Sequence, residues 1–264
     1  MGGAYTAHLV AESGVAVGRE RIVVSFSDGR REELRLHDYE RLYALPGLYE
    51  QIVQDRLGCR SPAVLAEMLG AAVDACGWAR EQVVVIDVAA GNGVSGEALA
   101  AQRLGVAGLY GTDIAPAART AALRDRPGVY DRYLTLDLLA LPARERELLA
   151  ELGAAALCCV APVGERRSGE LPPAALAVAA GLLADDALVA FMHDPEGGED
   201  PITAAWWSTA GIEVHATEIA RRRYLHRRLT GGGRFEMDGV IWRLQRLGRG
   251  GLAAASRERR VQAQ

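Results

Sequence analysis

Lysine is absent from all 264 residues: the 30 basic residues in the Lys+Arg total are all arginine. A lysine Schiff base, a pyridoxal-phosphate lysine, a phosphate-loop lysine and a kinase strand lysine are therefore excluded. A G+C-rich coding bias accounts for the absence, and the exclusion holds whatever its origin. Cysteine is scarce, and Cys59, Cys76, Cys158 and Cys159 lack metal-ligand spacing. A disulfide framework and a metal site are not expected, which makes a reducing compartment the default. No apolar run reaches the roughly 18 residues a membrane helix needs, and no basic segment followed by an apolar core opens the chain. These absences predict a cytoplasmic protein with no membrane partner.

Half of the residues are hydrophobic and the net charge is −4, enough for a sizeable core in one globular unit. The charge is uneven: residues 221–264 hold twelve arginines against Glu236, Asp238 and Glu258, a net +9, so residues 1–220 carry −13.

Residues 21–36 alternate around Asp28-Gly29 and predict a β-hairpin with a three-residue loop at 28–30, placing Val24 opposite Leu34 and Ile22 opposite Leu36. Asp38 is placed to cap a short helix that Pro46-Gly47 interrupts, with a second segment over 48–57. Ser61-Pro62 reads as a capping hydroxyl followed by first-turn proline, opening a helix to Cys76. Residues 1–80 are thus expected to form a hairpin and helical lid before the main sheet. From Gln82 to 247, strands alternate with helices, ending in an Asp200–Ala210 helix and two strand-like runs, 212–228 and 235–246, around Gly231-Gly232-Gly233. The pattern predicts a doubly wound, mostly parallel seven-stranded α/β sheet closed by an antiparallel hairpin. Residues 248–264 are expected to be a disordered tail.

The densest signal is IDVAAGNGVSG at 86–96. A buried strand delivers Asp87, a loop carries Ala89, Gly91, Asn92 and Gly93, and a helix follows. Glycine suits a sharp turn where a ligand must approach the backbone. Asp113, followed by Ile114, ends the next strand twenty residues past Gly93, where a carboxylate can accept from both hydroxyls of a ribose. Asp137, followed by Leu138, ends the third strand. The glycine spacing alone equally fits a dinucleotide, but Asp87 four residues before Gly91 would repel a pyrophosphate and suits a cationic ligand.

At these residues the chain resembles the class I S-adenosylmethionine-dependent methyltransferases of small-molecule type. IDVAAGNG is similar to the first motif of that family, GTDIA to its second and YLTLDLLALP to its third; the resemblance spans roughly residues 36–246. Ala89-Ala90 departs from the usual Gly-Cys by a small-for-small change. The resemblance implies S-adenosylmethionine as cofactor, with Gly91 and Gly93 beneath its methionine part, Asp87 near its amine, Asp113 on the ribose hydroxyls, and Asp137 with the Leu138 backbone at the adenine. It also implies an aromatic helical lid, in which Tyr39, Tyr43 and Tyr49 are expected to line an acceptor pocket or to pack.

For acceptor chemistry, His193 at the end of ALVAFMH is a candidate general base, and Glu165 beyond CCVAPVG is a second. The loop lacks the Asn/Asp-Pro-Pro-aromatic pattern of nucleobase-amine methylation, which disfavours nucleic acid. Alternation along a strand would split Arg221–Arg223, Arg227 and Arg228 between two faces, some paired with acids; His226 or one of these arginines is an alternative contact for an acceptor carboxylate or phosphate. A small-molecule acceptor is expected and a homodimer is left open. A nicotinamide-dependent oxidoreductase and a non-catalytic cofactor-binding module are the alternatives.

Overall fold

Seven strands build the central sheet of the computed structural model, which describes residues 5–10, 17–165, 169–197, 200 and 202–246. Five of them are parallel: β4 (Val85–Val88), β5 (Leu109–Asp113), β6 (Arg132–Thr135), β7 (Ala156–Pro162) and β8 (Asp186–His193). β9 (Val214–Arg228) and β10 (Arg234–Arg246) form an antiparallel hairpin that joins through β10, giving the order β6-β5-β4-β7-β8-β10-β9. The expected fold class is confirmed, including the reversed final hairpin. Order reverses between β4 and β7, so a crevice opens above the carboxyl ends of the parallel strands, where sheets of this kind bind ligands.

Both sheet faces are covered because successive residues of each buried strand point opposite ways. On one side Val85, Cys158 and Leu188 pack with Leu65 and Leu69 of α2 (Ser61–Ala75), Leu99 of α3 (Val94–Ala101) and Ala118 of α4 (Pro116–Asp125). On the other, Ile86, Cys159 and Phe191 meet Leu149 of α5 (Ala143–Glu151), Leu176 of α6 (Pro173–Ala180) and Trp207 of α7 (Ala204–Thr209). Cys158 and Cys159 are thus core residues of opposite faces, and all four cysteines are free thiols. The last helix is shorter than the expected 200–210 because Thr203, not Asp200, caps it: the Thr203 side chain accepts from Trp206 N at 3.2 Å.

The amino-terminal region departs from expectation in detail. It is a three-stranded antiparallel sheet, β1 (Tyr5–Leu9), β2 (Arg21–Phe26) and β3 (Arg31–Arg35), rather than a hairpin alone. β1 carries little local signal, since Ala7 is its one buried residue. Ile22 pairs with Leu34 and Val24 with Glu32, a register two residues from the expected one. The loop does hold three residues, but they are 27–29, closed by Phe26 N donating to Arg30 O at 2.9 Å. Gly29 sets this: with φ of +86° it is the left-handed residue that ends such a loop, so it cannot sit in the middle.

Asp38 precedes α1 (Tyr39–Ala44) without capping it; its carboxylate accepts instead from Arg35 N at 2.6 Å, closing the preceding turn. The segment expected over 48–57 is a π-helix, Glu50–Arg56. Ser61 lies inside α2 and makes no cap, because its hydroxyl is engaged with His226 and Tyr224. The helix expected to run from Val94 to Leu104 stops at Ala101. Ile22, Leu34, Leu42, Leu48 and Ile52 form a core of their own, which makes the sheet and the lid helices one layered unit above the crevice. The expected tail, 248–264, lies outside the described residues.

Candidate active site

β4 ends at Val88, and the chain turns through Ala89 (φ +53°), Gly91 (φ +55°) and Gly93 (φ +89°) into α3. A Cβ on Gly91 would strike the Tyr43 hydroxyl, so the lid tyrosine rests directly on the loop. The loop is held from below as well: Gly91 N donates to Asp113 Oδ2 at 2.9 Å, and the Tyr133 hydroxyl donates to Gly91 O at 2.6 Å. Above these strand ends lies a cavity of about 450 Å³. Ala89, Gly91, Asn92, Asp113, Ile114, Asp137 and Leu138 line it, as do Tyr39, Tyr43 and Tyr49 from the lid. The three motifs and the aromatic lid therefore converge on one space. Gly93 lies behind the wall, against Tyr130 and Arg126.

The acids differ in setting. Asp113 accepts from Gly91 N and from Ala115 N, both at 2.9 Å, and burial raises its pKa against those bonds. Asp137 accepts from Leu139 N at 2.9 Å, capping the turn 138–140 at the cavity wall. Asp87 does not line the cavity. It is fully buried beneath the loop, where Oδ2 accepts from Ser95 Oγ at 2.6 Å and from the Tyr130 hydroxyl at 2.7 Å. Its Oδ1 has no partner, and burial pushes the carboxyl up to about 7 against the two hydroxyl donors. The expectation that Asp87 stands beside the ligand is corrected accordingly: it reaches the cavity through Ser95, which lines the space and donates to Oδ2.

His193 and Glu165 belong elsewhere. His193 is buried at the end of β8, opposite Asp238 of β10, and with Glu165 lines a second cavity of about 850 Å³. None of the residues lining that second space comes from the glycine loop or the lid. A strand-end position identifies the correct sheet edge, but two cavities meet that edge: Ala175 of α6 lines the first, Pro173, Ala174, Ala177 and Val178 line the second, and Glu170 borders both.

Glu50 and Phe235, which help to build the site, escaped the sequence, whereas His226 and the arginines of the final hairpin were named there as acceptor contacts. Glu50, from the π-helix, accepts from Asn92 Nδ2 at 2.6 Å and from Arg126 Nη1 at 2.7 Å, latching lid to loop. At the far end, beyond β8, the cavity is lined by His226, Arg227 and Phe235 of the final hairpin. Arg227 forms an ion pair with Glu20, both nearly inaccessible at 4% and 1%. Three more arginines of β9 are matched: Arg221 with Asp200 and Glu218, Arg222 with Glu67, and Arg223 with Asp238.

No protein-family model and no curated protein matches the chain. Solved structures do. An S-adenosylmethionine-dependent methyltransferase from Anabaena variabilis aligns with TM-score 0.50 at 13% identity, over 80% of this chain and 96% of that one. A protein from Pyrococcus horikoshii, provisionally assigned as an RNA methyltransferase, aligns with TM-score 0.50 at 14% identity, over 68% of this chain and 83% of that one. The 1,6-didemethyltoxoflavin-N1-methyltransferase of Burkholderia thailandensis gives TM-score 0.49 at 15% identity, over 88% and 98%. At such identities the first two alignments establish the fold alone, that of the class I methyltransferases.

Proposed function

We propose that the chain is an S-adenosylmethionine-dependent methyltransferase acting on a small molecule. The observation that carries this reading is the convergence of the glycine loop, Asp113 and Asp137 on one cavity above β4, β5 and β6. The wall suits the cofactor. The loop backbone at residues 89–92 borders the space for the methionine part, Asp113 takes the ribose hydroxyls, and Asp137 with the Leu138 backbone faces the adenine. Ile114 and Leu139, apolar yet 66% and 56% exposed beside those acids, offer surfaces for a planar base. When bound, the cofactor supplies a methyl group already activated on a sulfonium, so the protein's task is to orient the acceptor and exclude water, with no amine required.

A small acceptor is favoured over RNA because the tyrosine lid covers the cavity and Arg221, Arg222, Arg223 and Arg227 of β9 are matched by carboxylates rather than offered to phosphates. Titration calorimetry with S-adenosylhomocysteine is expected to show one site per chain. Absence of binding by folded protein at millimolar ligand overturns the reading, and a positive titration with NADH in its place would transfer the site to a nicotinamide enzyme. Asp113→Ala is expected to weaken S-adenosylhomocysteine at least tenfold with an unchanged circular dichroism spectrum; undiminished affinity removes the ribose role.

A further inference from the structure

We propose that the far end of the cavity, over β8, β10 and β9, is a subsite for an uncharged aromatic hydroxyl compound whose hydroxyl donates to Nε2 of His226. In calling that compound the methyl acceptor the inference rests on the function proposed above; the binding chemistry stands on its own residues.

The far end differs from the cofactor end in having no free charge. Arg227 is the one arginine among the described residues lining the cavity, and its guanidinium is bound to Glu20 and to the carbonyl of Arg228 at 3.2 Å. A carboxylate or phosphate entering here would have to displace a buried partner, which costs several kcal/mol for charges held this far from water. The expectation that His226 or an arginine of this hairpin receives an anionic acceptor is therefore replaced. Burial, reinforced by Arg227, also holds the His226 imidazole neutral, with its pKa brought down to about 3.

Of the hairpin residues at this end, His226 presents the ring nitrogen that can recognise a ligand. His226 Nδ1 lies 2.6 Å from Ser61 Oγ, while Nε2 has no partner among the described residues although the ring borders the cavity. The Tyr224 hydroxyl is 2.7 Å from Ser61 Oγ and 2.9 Å from Met192 Sδ, and its single proton can serve only one of them. If Tyr224 donates to the sulfur, Ser61 donates to Tyr224 and Nδ1–H donates to Ser61, making three hydrogen bonds. The opposite polarity leaves Met192 Sδ without a donor and makes Nδ1 the acceptor for Ser61 and for Cys59 Sγ at 3.9 Å. The polarity that satisfies Met192 leaves Nε2 bare, an acceptor on the ring that borders the cavity. Around it the surface is aromatic: Phe235 meets the imidazole edge to face at 5.4 Å, and Tyr39 and Tyr49 close the space from the lid. Flat apolar walls and one hydrogen-bond acceptor describe a site for a planar ring bearing one neutral donor.

The test uses the full-length protein with 2-naphthol, naphthalene and 2-naphthoate, each titrated with and without saturating S-adenosylhomocysteine. 2-Naphthol is expected to bind at least tenfold more tightly than either companion. His226→Ala is expected to reduce 2-naphthol affinity at least tenfold while leaving naphthalene unchanged, which also verifies that the cavity survives the substitution. In wild-type protein the ¹⁵N resonance of His226 Nε2 should start at the unprotonated position and shift on adding 2-naphthol, a readout that needs no variant. Equal affinity for naphthol and naphthalene, tightest binding of naphthoate, or an unmoved Nε2 resonance overturns the subsite. Failure to bind S-adenosylhomocysteine overturns the methyltransferase reading separately, because the naphthol titrations are judged in its absence as well.

Discussion

Asp87→Asn is expected to raise the melting temperature at pH 8. The carboxyl is fully buried and its pKa stands near 7, against an ordinary 3.8. Below pH 4 the acid is protonated in both folded and unfolded chains and costs nothing. Between pH 4 and 7 the unfolded chain ionises while the folded one resists, so stability falls as pH rises, and above 7 the full penalty remains. Three pH units correspond to on the order of 4 kcal/mol. Asparagine keeps the shape: its carbonyl can accept from Ser95 and Tyr130, and its amide replaces Oδ1, which has no partner to lose. Urea unfolding at pH 5 and pH 8 should show a gain several times larger at the higher pH. A variant less stable than wild type at pH 8 refutes the account. The gain is expected to come with weaker S-adenosylmethionine binding, since a negative charge under the glycine loop favours a ligand that carries a sulfonium; destabilised charges of this kind are found where function uses them.

Glu20→Ala is expected to cost about 3–5 kcal/mol of unfolding free energy, a large fraction of the ~5–15 kcal/mol that folded domains possess. Glu20 receives Arg227 Nη1 and, through its other oxygen, Gly18 N at 2.7 Å, so its loss strands a guanidinium that is 4% exposed. The penalty comes from the orphaned charge more than from the lost attraction, so the double variant Glu20→Met/Arg227→Met should recover most of it. Chemical denaturation of the three proteins checks this. A single-variant loss below about 1 kcal/mol, or a double variant worse than Glu20→Ala alone, contradicts it.

What could be read in advance follows from the range of each interaction. IDVAAGNG, GTDIA and LTLDLLALP each combine a strand with an acid at or just past its end within a dozen residues, so the parallel sheet and the cofactor wall were legible from local pattern. The ion pair of Glu20 with Arg227 and the contact of Ser61 with His226 join residues 207 and 165 positions apart and have no local signature. Glu20 reads as a loop acid and Ser61 as a helix cap until β9 is laid beside them. The hairpin register failed for a different reason: hydrophobic alternation tolerates a shift of two residues, and only the left-handed conformation of Gly29 decides between the alternatives. His193 was assigned to the correct edge of the sheet, but alternation along a strand does not tell which of two cavities its last residue enters.

β9 ends the sheet, and its fifteen residues present an outer row of backbone groups that another strand could extend. Its ladder with β10 is interrupted by two register shifts, and Arg221, Arg222 and Arg223 lie along it in contact with Asp200, Glu67 and Asp238. Bulges twist an edge out of plane, and charged side chains would have to be stripped of water before a second sheet could dock. In most proteins lysine guards such margins. Here arginine–carboxylate clasps take that part, so the composition that removed an entire class of catalysts from this chain also supplies the charges along its open margin.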